Sequence, residues 1–193
     1  MNYFLHTGHL NIDGLKMSKS LKNFITIRQT LQQFTANQIR MCFLLHKWNT
    51  TMNYSDGAME EARAKEKLFN DFFGNLKALL RAQSPDAEER WNEREVALNG
   101  ELMRAREAVH ASLCDDFDTE GAMAALEGLV RAFNRYVEGN DHIVAPLVTS
   151  CGEFVTRMFR ALGPVDPKCE LADGVVDEES VLTPVNMLSE FHS

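Results

Sequence analysis

The sequence predicts a mostly α-helical protein with a short β-edge at its N-terminal end. Three observations support this fold class. After Ser55, apolar residues recur at intervals of three and four, as they do along the buried face of a helix. Short extended runs occur only before residue 13. Gly and Pro residues divide the remainder into helix-length segments, which favours a set of packed helices.

Composition excludes several classes of protein. The 193 residues are 45% hydrophobic and carry a net charge of −8, and they include no apolar run long enough for a membrane span or a secretion signal. The four cysteines form no CxxC pair, which favours a reducing compartment and gives no metal-ligand spacing. Basic residues gather in 14–47, so this part of the chain, rather than the whole acidic surface, is expected to meet an anion.

The N-terminal segment reads as β structure that ends in a loop. Residues 2–6 and 9–12 are predicted to be extended, and Asp13-Gly14 is a turn signal. Two short strands cannot stand alone, so we expect this edge to be the end of a larger domain and the chain to be a fragment. Thr26 and Thr35 are expected to cap helices over 27–34 and 36–48, and 52–56 is interpreted as a linker.

The rest of the chain predicts an antiparallel bundle of four helices and a truncated fifth. The predicted segments are 56–82, 88–113, 120–139, 143–163 and 185–192. Asp118 or Thr119 is expected to cap the third of these helices, after the acidic stretch CDDFDT at 114–119. The fourth begins before Pro146, which a helix tolerates only in its first turn, and residues 164–181 read as a loop.

The stretch GLKMSKSLKN, residues 14–23, carries the strongest chemical signal. Lys16 and Lys19 supply mobile positive charges, and Ser18 and Ser20 supply small donors, which together suit a chain of phosphates. There is no GxxxxGK[ST] sequence, so a P-loop is excluded. From the residues alone, a solvated lysine turn remains the alternative.

The literal string KMSKS resembles the signature loop of class I aminoacyl-tRNA synthetases. Its surroundings, YFLHTGHLNIDGLKMSKSLKNFITI at 3–27, resemble the cysteinyl-tRNA synthetase version of that loop, and so does the CDDFDT turn. The resemblance covers essentially the whole chain. HTGHL and Lys22, where bacterial relatives commonly carry glycine, suggest the eukaryote type.

The resemblance implies an activity and a set of site residues. A full-length enzyme of this family would activate cysteine with ATP and Mg and transfer it to tRNA(Cys) in the cytoplasm. Lys16 and Lys19 would act catalytically on the leaving pyrophosphate, and Asn23 would hold the hinge of the loop. The remaining residues expected to contact the nucleotide are Met17, Ser18, Ser20, His6 and Gly8.

The resemblance also implies a domain plan. Residues 1–24 would be the C-terminal edge of a Rossmann-like catalytic domain that carries the KMSKS loop. Residues 25–57 would be a helical connector that contacts the tRNA stem, and 58–193 a truncated bundle of the anticodon-binding type. The candidate tRNA contacts in the connector are Arg28, Arg40, Lys47 and Trp48. In the bundle, Trp91 and Tyr136 could stack on a base, although core packing is the preferred interpretation for both.

Two further features resemble known sites. His6-Thr7-Gly8-His9 looks like the HIGH signature, but it lies too close to Lys16 to have that role, and His9 is expected to be a solvent-facing strand residue. The zinc of the family would be held by ligands outside this chain, and Cys42 and His46 are expected to pack in the core or connector.

Two alternatives to this reading remain. The chain could be a non-catalytic helical module with a vestigial lysine loop, which would bind protein partners through the bundle. It could also belong to another class I synthetase of the same subgroup, such as the methionine or arginine enzyme. The fragment alone is expected to be inactive, with no metal site and no membrane partner.

Overall fold

The computed structural model of the chain describes residues 4, 6–18, 20–82, 90–140 and 142–163. It is mostly helical, with one small sheet, as the sequence predicts. The sheet contains β1 (Leu10–Ile12), β2 (Leu15–Lys16) and β3 (Met52–Tyr54) in the order β2-β1-β3. β1 pairs antiparallel with β2 and parallel with β3.

The third strand corrects the sequence interpretation, in which residues 52–56 were a linker. β3 pairs with β1 in the register Leu10↔Met52 and Ile12↔Tyr54. The Met52 side chain is buried, whereas Asn53 is exposed. Three residues are too few for an alternating pattern to stand out in the sequence, so the strand is defined by its long-range pairing. The strand predicted over 2–6 is absent at Phe4 and His6, and the rest of that run lies outside the described residues.

Two short helices follow the hairpin, and both begin where the sequence predicts. In α1 (Ile27–Thr30), Thr26 and Gln29 form a reciprocal capping box. In α2 (Ala36–Leu44), Thr35 and Gln38 do the same. Both helices end earlier than predicted, and after α1 the chain continues as hydrogen-bonded turns as far as Phe34.

The four long helices are present at the predicted positions. They are α3 (Asp56–Ala82), α4 (Glu93–Cys114), α5 (Thr119–Val137) and α6 (Ala145–Leu162). Asp118 caps α5 by accepting a hydrogen bond from the Gly121 amide, and Gly163 ends α6 in the left-handed conformation. None of the described helices is long and apolar enough to cross a bilayer. The helix predicted over 185–192 lies outside the described residues.

One hydrophobic core joins the long helices to the connector. Phe72 meets Phe133 edge-to-face with ring centroids 4.7 Å apart, and Phe69 meets Phe159 at the same spacing. The apolar stripe predicted along α3 is therefore confirmed. Residues before α3 belong to the same core, namely Phe34, Met41, Cys42 and Met52.

Two of the three described cysteines lie in this core, so the expectation for Cys42 is confirmed. Burial raises the pKa of the Cys42 thiol to about 11, with a contribution from Glu61, and raises that of Cys151 to about 12. Cys114 is exposed at the end of α4. Cys169 lies outside the described residues.

At the start of α4, the residues that are buried are not the apolar ones. Trp91 was expected to pack in the core, but its side chain is 48% exposed, and the side chain of the nearby Val96 is 61% exposed. Glu95 is buried instead, and its carboxylate receives hydrogen bonds from the Asn92 amide at 2.9 Å and from the Tyr136 hydroxyl at 2.8 Å. The packing expected for Tyr136 is confirmed, whereas that for Trp91 is wrong.

Tyr136 links three elements at this end of the bundle. Its hydroxyl donates to Glu95 of α4 and accepts a 3.1 Å hydrogen bond from the Val144 amide at the start of α6. Burial raises the pKa of Tyr136 to about 12, so the hydroxyl stays protonated at neutral pH. Burial opposes ionisation of Glu95, but hydrogen bonds from Asn92, Tyr136 and its own amide outweigh it, and nearby His142 adds to them. The pKa of Glu95 is therefore lowered.

Tyr136→Phe should destabilise the protein, because it removes one of the hydrogen bonds to the buried Glu95 carboxylate and leaves the Val144 amide without its acceptor. A loss of about 2–3 kcal/mol in the free energy of unfolding is expected. Urea unfolding followed by circular dichroism measures it. Tyr54→Phe, at the half-buried end of β3, is the control and should change stability by less than about 0.5 kcal/mol. Equal losses in the two variants would contradict the proposed role of the hydroxyl.

Stability should fall in acid, in part through Glu95. Because its pKa is lowered from the ordinary 4.5 in the folded state, its ionised form stabilises the fold above that pH. This contribution is lost as pH falls below 4.5 through the folded pKa. Glu95→Gln should therefore flatten the decline of unfolding free energy with pH in this range. The exposed Glu107→Gln is the control, and an unchanged slope in Glu95→Gln would contradict the assignment.

Candidate functional site

The lysine hairpin, residues 10–23, presents the KMSKS string at the edge of the sheet. Asp13 and Gly14 form its turn with φ angles of 48° and 77°, the combination that matches the twist of a two-residue hairpin. The turn predicted at Asp13-Gly14 is confirmed. Asn11 pairs with Lys16, which places Lys16 at the end of β2 with its side chain exposed.

Asn23 fastens the loop that follows β2. Its Oδ1 accepts a 3.0 Å hydrogen bond from the Ser18 amide, and its Nδ2 donates at 3.2 Å to the Lys16 carbonyl. The Asn23 side chain thus provides hydrogen-bond partners for the Lys16 carbonyl and the Ser18 amide, at the point where strand pairing of β2 ends. The two ends of the KMS segment are held by this single amide.

The two serine hydroxyls lie side by side in the loop. Ser18 Oγ is 3.1 Å from Ser20 Oγ and accepts a 3.2 Å hydrogen bond from the Leu21 amide. Lys19 falls between them in sequence but lies outside the described residues. Hydroxyl groups that follow an exposed lysine, Lys16, two and four residues later in the chain are donors of the type suited to phosphate oxygens.

Lys22 occupies a backbone conformation that favours glycine. Its φ is 53°, in the left-handed region, where a side chain costs roughly 1 kcal/mol. A glycine at this position would adopt the same conformation without that cost.

Gly8 packs closely against the segment that precedes β3. The Gly8 amide donates to the Trp48 carbonyl at 2.9 Å, and an added Cβ would lie 1.7 Å from the Thr50 carbonyl oxygen. Only glycine fits this approach, so the structure gives Gly8 a packing role. His6 and His9 are exposed in backbone outside the strands.

Met17 turns away from the exposed lysine side and lines an apolar groove. The groove has a volume of about 520 Å³ and runs between the sheet, the loop and the two short helices. Its walls are formed by Leu10, Ile12, Met17, Phe24, Ile25, Thr26, Ile27, Thr30, Ile39, Phe43 and Tyr54. Phe24, Ile27 and Phe43 are more than half exposed. The groove is therefore a large apolar surface beside the lysine hairpin.

Most of the predicted connector contacts have partners within the chain. Arg40 lies against Gly163, and its Nε donates to the Leu162 carbonyl at 3.4 Å, where it complements the C-terminal end of α6. Lys47 is 3.6 Å from the Asp118 carboxylate. Arg28 is exposed on α1.

The acidic turn, residues 115–119, contacts the connector. Trp48 Nε1 donates to the Asp116 carbonyl at 2.6 Å, and Asn49 Nδ2 donates to the Asp116 carboxylate at 2.6 Å. Asp116 and Phe117 both have φ of 55°, and the Phe117 ring is 59% exposed. The sequence predicts this turn and its Asp118 cap, but not its contact with residues far away in the chain.

Metal-ligating side chains do not gather in the described part of the chain: no group of three or more His, Cys, Asp or Glu residues lies close enough to hold an ion. His46 Nδ1 lies 2.8 Å from the Cys42 carbonyl, one turn earlier. This contact explains the Cys42 and His46 spacing as local packing.

Comparison with known proteins identifies the family. The family model described as "tRNA synthetases class I (C) catalytic domain" matches residues 1–64. The cytoplasmic cysteine–tRNA ligases of Xenopus tropicalis and Homo sapiens are 39% and 38% identical over 99% of this chain. That of Dictyostelium discoideum is 38% identical over 100% of it. The chain belongs to the cysteine–tRNA ligase family.

The chain spans about a quarter of the length of these relatives, since it covers 27% of the Xenopus tropicalis and Homo sapiens proteins and 31% of the Dictyostelium discoideum protein. A solved structure shows a similar fold, namely the ternary complex of Agrobacterium radiobacter K84 agnB2 LeuRS with tRNA and LeuAMS. Its TM-score is 0.65 at 22% identity, over 92% of this chain and 22% of that one. The sequence similarity to the curated ligases extends past the hairpin through the helices, and the solved structure shows a similar fold over the same part of the chain.

Asn23→Ala should loosen the lysine hairpin without unfolding the protein. Both hydrogen bonds of the Asn23 amide would be lost, so amide exchange at Ser18 should accelerate by about tenfold or more. Hydrogen exchange read by NMR measures this. Asn70→Ala, on the exposed side of α3, is the matched control. Unchanged exchange at Ser18 would contradict the fastening role of Asn23.

Proposed function

We propose that this chain forms part of a cysteine–tRNA ligase, which activates cysteine with ATP and transfers it to tRNA(Cys) in the cytoplasm. The observation that carries the proposal is the KMSKS string on a fastened hairpin, within the region that matches the family's catalytic domain. The names of the relatives support cysteine as the amino acid, rather than methionine or arginine. They also favour the ligase over a non-catalytic module.

Lys16 and Lys19 are proposed to neutralise the pyrophosphate as it leaves. Negative charge builds on the departing phosphates during adenylate formation, so ammonium groups placed there stabilise the transition state more than bound ATP. Ser18 and Ser20 would donate to phosphate oxygens. His6, Gly8 and Met17 would lie beside the nucleotide, with Gly8 acting through its close backbone contact.

ATP and Mg are the cofactors that the family implies. The exposed Lys16 ammonium and the adjacent Ser18 and Ser20 hydroxyls fit a phosphate chain in charge and donor type. Mg, when bound with ATP, would supply further neutralisation of the phosphates. The described residues hold no cluster of zinc ligands. The zinc ligands that the family resemblance implies are proposed to lie outside this chain.

The domain plan is retained as a proposal: 1–24 as the edge of a Rossmann-like catalytic domain, 25–57 as the stem-contact connector, and 58–193 as a helical bundle of the anticodon-binding type. Arg28 is the connector residue best placed to meet a tRNA phosphate, since Arg40 and Lys47 already contact α6 and Asp118. The half-exposed Trp91 suits stacking on a base better than the buried Tyr136. Protein partners of the bundle remain a separate proposal.

Lys16→Ala and Lys19→Ala, each made in an intact ligase that contains this chain, should lower the adenylation rate by about 10²–10³-fold. Cysteine binding should change little, because neither ammonium group is proposed to contact the amino acid. ATP–pyrophosphate exchange without tRNA measures the rate, and equilibrium binding measures the affinity for cysteine.

The control for these two variants is Lys67→Ala, which removes an exposed lysine on α3 that pairs with Asp71. It should retain the parental exchange rate. Parental rates in both Lys16→Ala and Lys19→Ala would refute the phosphate role of the lysine loop.

A further inference from the structure

A nine-residue segment joins the helical bundle to the lysine hairpin. This strap, residues 46–54, runs from just after α2 to the end of β3. Its first half contacts the acidic turn between α4 and α5 and also Gly8, and its second half contacts residues 9–14. The strap therefore has the bundle at one end and the hairpin at the other.

The contact with the acidic turn is made mainly by neutral donors. The Trp48 indole donates to the Asp116 carbonyl and the Asn49 amide to the Asp116 carboxylate, each at 2.6 Å. Thr119 Oγ1 lies 3.4 Å from the His46 carbonyl at the same junction. The exposed Lys47–Asp118 pair adds little, since solvent screens it.

The contact with the hairpin, and with the two residues that precede it, is made by the strap backbone and one side chain. The Gly8 amide donates to the Trp48 carbonyl, and the Met52 amide donates to the His9 carbonyl, both at 2.9 Å. Asn53 Oδ1 accepts a 2.7 Å hydrogen bond from the Gly14 amide in the hairpin turn. Three positions of the strap, Trp48, Met52 and Asn53, thus hold residues on both sides of β1.

Trp48 takes part in both contacts. Its indole nitrogen binds the acidic turn, while its backbone carbonyl binds Gly8. The turn that it binds is strained, because two consecutive non-glycine residues, Asp116 and Phe117, adopt the left-handed conformation. Such strain persists only when the surroundings hold it. Release of the Trp48 bond would therefore favour a relaxed turn and free one end of the strap.

We propose that Trp48 is a positioning residue that couples the acidic turn to the lysine hairpin. Through it, a ligand that orders the bundle also orders the hairpin, and the reverse, because coupling between two sites is reciprocal. The coupling is a property of the fold. Its consequence, that tRNA on the bundle helps to set the lysine loop for phosphate chemistry, rests on the proposed function.

The first test is hydrogen exchange of this chain in solution, without nucleotide or RNA. Trp48→Phe keeps an aromatic ring but removes the N–H donor. It should accelerate exchange at the Gly8 and Gly14 amides by about tenfold, which corresponds to one lost hydrogen bond. Amides in the middle of α5 should keep their parental rates. Trp91→Phe, at the exposed residue before α4, is the matched control and should leave Gly8 and Gly14 unchanged.

The reciprocal test starts from the hairpin. The chain contains two tryptophans, so two indole N–H signals are expected in a nitrogen-edited spectrum. Asn53→Ala removes the acceptor for Gly14, and it should shift the Trp48 indole signal and accelerate its exchange, while the Trp91 signal stays in place. A residue that only stabilised its own neighbourhood would not produce this response.

Two results would overturn the proposal: parental exchange at Gly14 in Trp48→Phe, or equal acceleration of the α5 amides, which would indicate global destabilisation. These measurements need no catalysis. If they succeed while Lys16→Ala and Lys19→Ala keep their pyrophosphate exchange rates, the coupling stands and the phosphate role falls. If they fail while those variants are impaired, the reverse holds.

Discussion

Parallel pairing of β1 with β3 holds the lysine hairpin on the helical body. β1 and β2 together span only a few residues, and an isolated pair of this size has marginal stability in water. β3 pairs with the other edge of β1 and so adds a third strand. Just before these strands, Gly8 lies so close to the Thr50 carbonyl that no side chain would fit between the two segments. The position of Lys16, Met17 and Ser18 relative to the helices depends on this contact of β1 with β3.

The loop combines a hydrogen-bonded backbone frame with the exposed side chain of Lys16. Asn23 fixes the backbone on both sides of Met17, and Ser18 is tied to Leu21 and Ser20. The Lys16 side chain extends from this frame into solvent. Donors held by a frame need little rearrangement when charge develops, which is the physical basis of electrostatic catalysis. Under the proposed function, the Lys16 ammonium would meet the leaving group from a backbone that stays in place.

The features that were predictable from sequence are those set by local chemistry. Thr26, Thr35 and Asp118 cap helices because a side-chain oxygen reaches an amide three residues later, and Asp13-Gly14 turns because both residues tolerate positive φ. The apolar stripe of α3 has a helical period over many turns. The KMSKS string was identified by resemblance rather than by geometry.

The features that were missed depend on contacts distant in sequence. β3 is a strand because β1 lies beside it, and Asp116 binds Trp48 and Asn49 across a separation that no local pattern encodes. Charged residues are normally exposed, but Glu95 is buried. Its carboxylate accepts hydrogen bonds from the Tyr136 hydroxyl and from the Asn92 amide at the start of α4. The same helix start leaves Trp91 exposed. Within this one turn, a residue expected to pack in the core is exposed, and the capping residue Glu95 is buried instead.

The core that continues from the connector into the long helices limits how this region can be exchanged between relatives. Phe34, Met41 and Met52 pack in the same cluster as the bundle, and α3 itself begins at Asp56. A chimera joined near residue 57 would set two unmatched surfaces against each other in the middle of the core. Recombination that transplants the helices must carry the connector with them, so the two parts are expected to have diverged as one inherited unit.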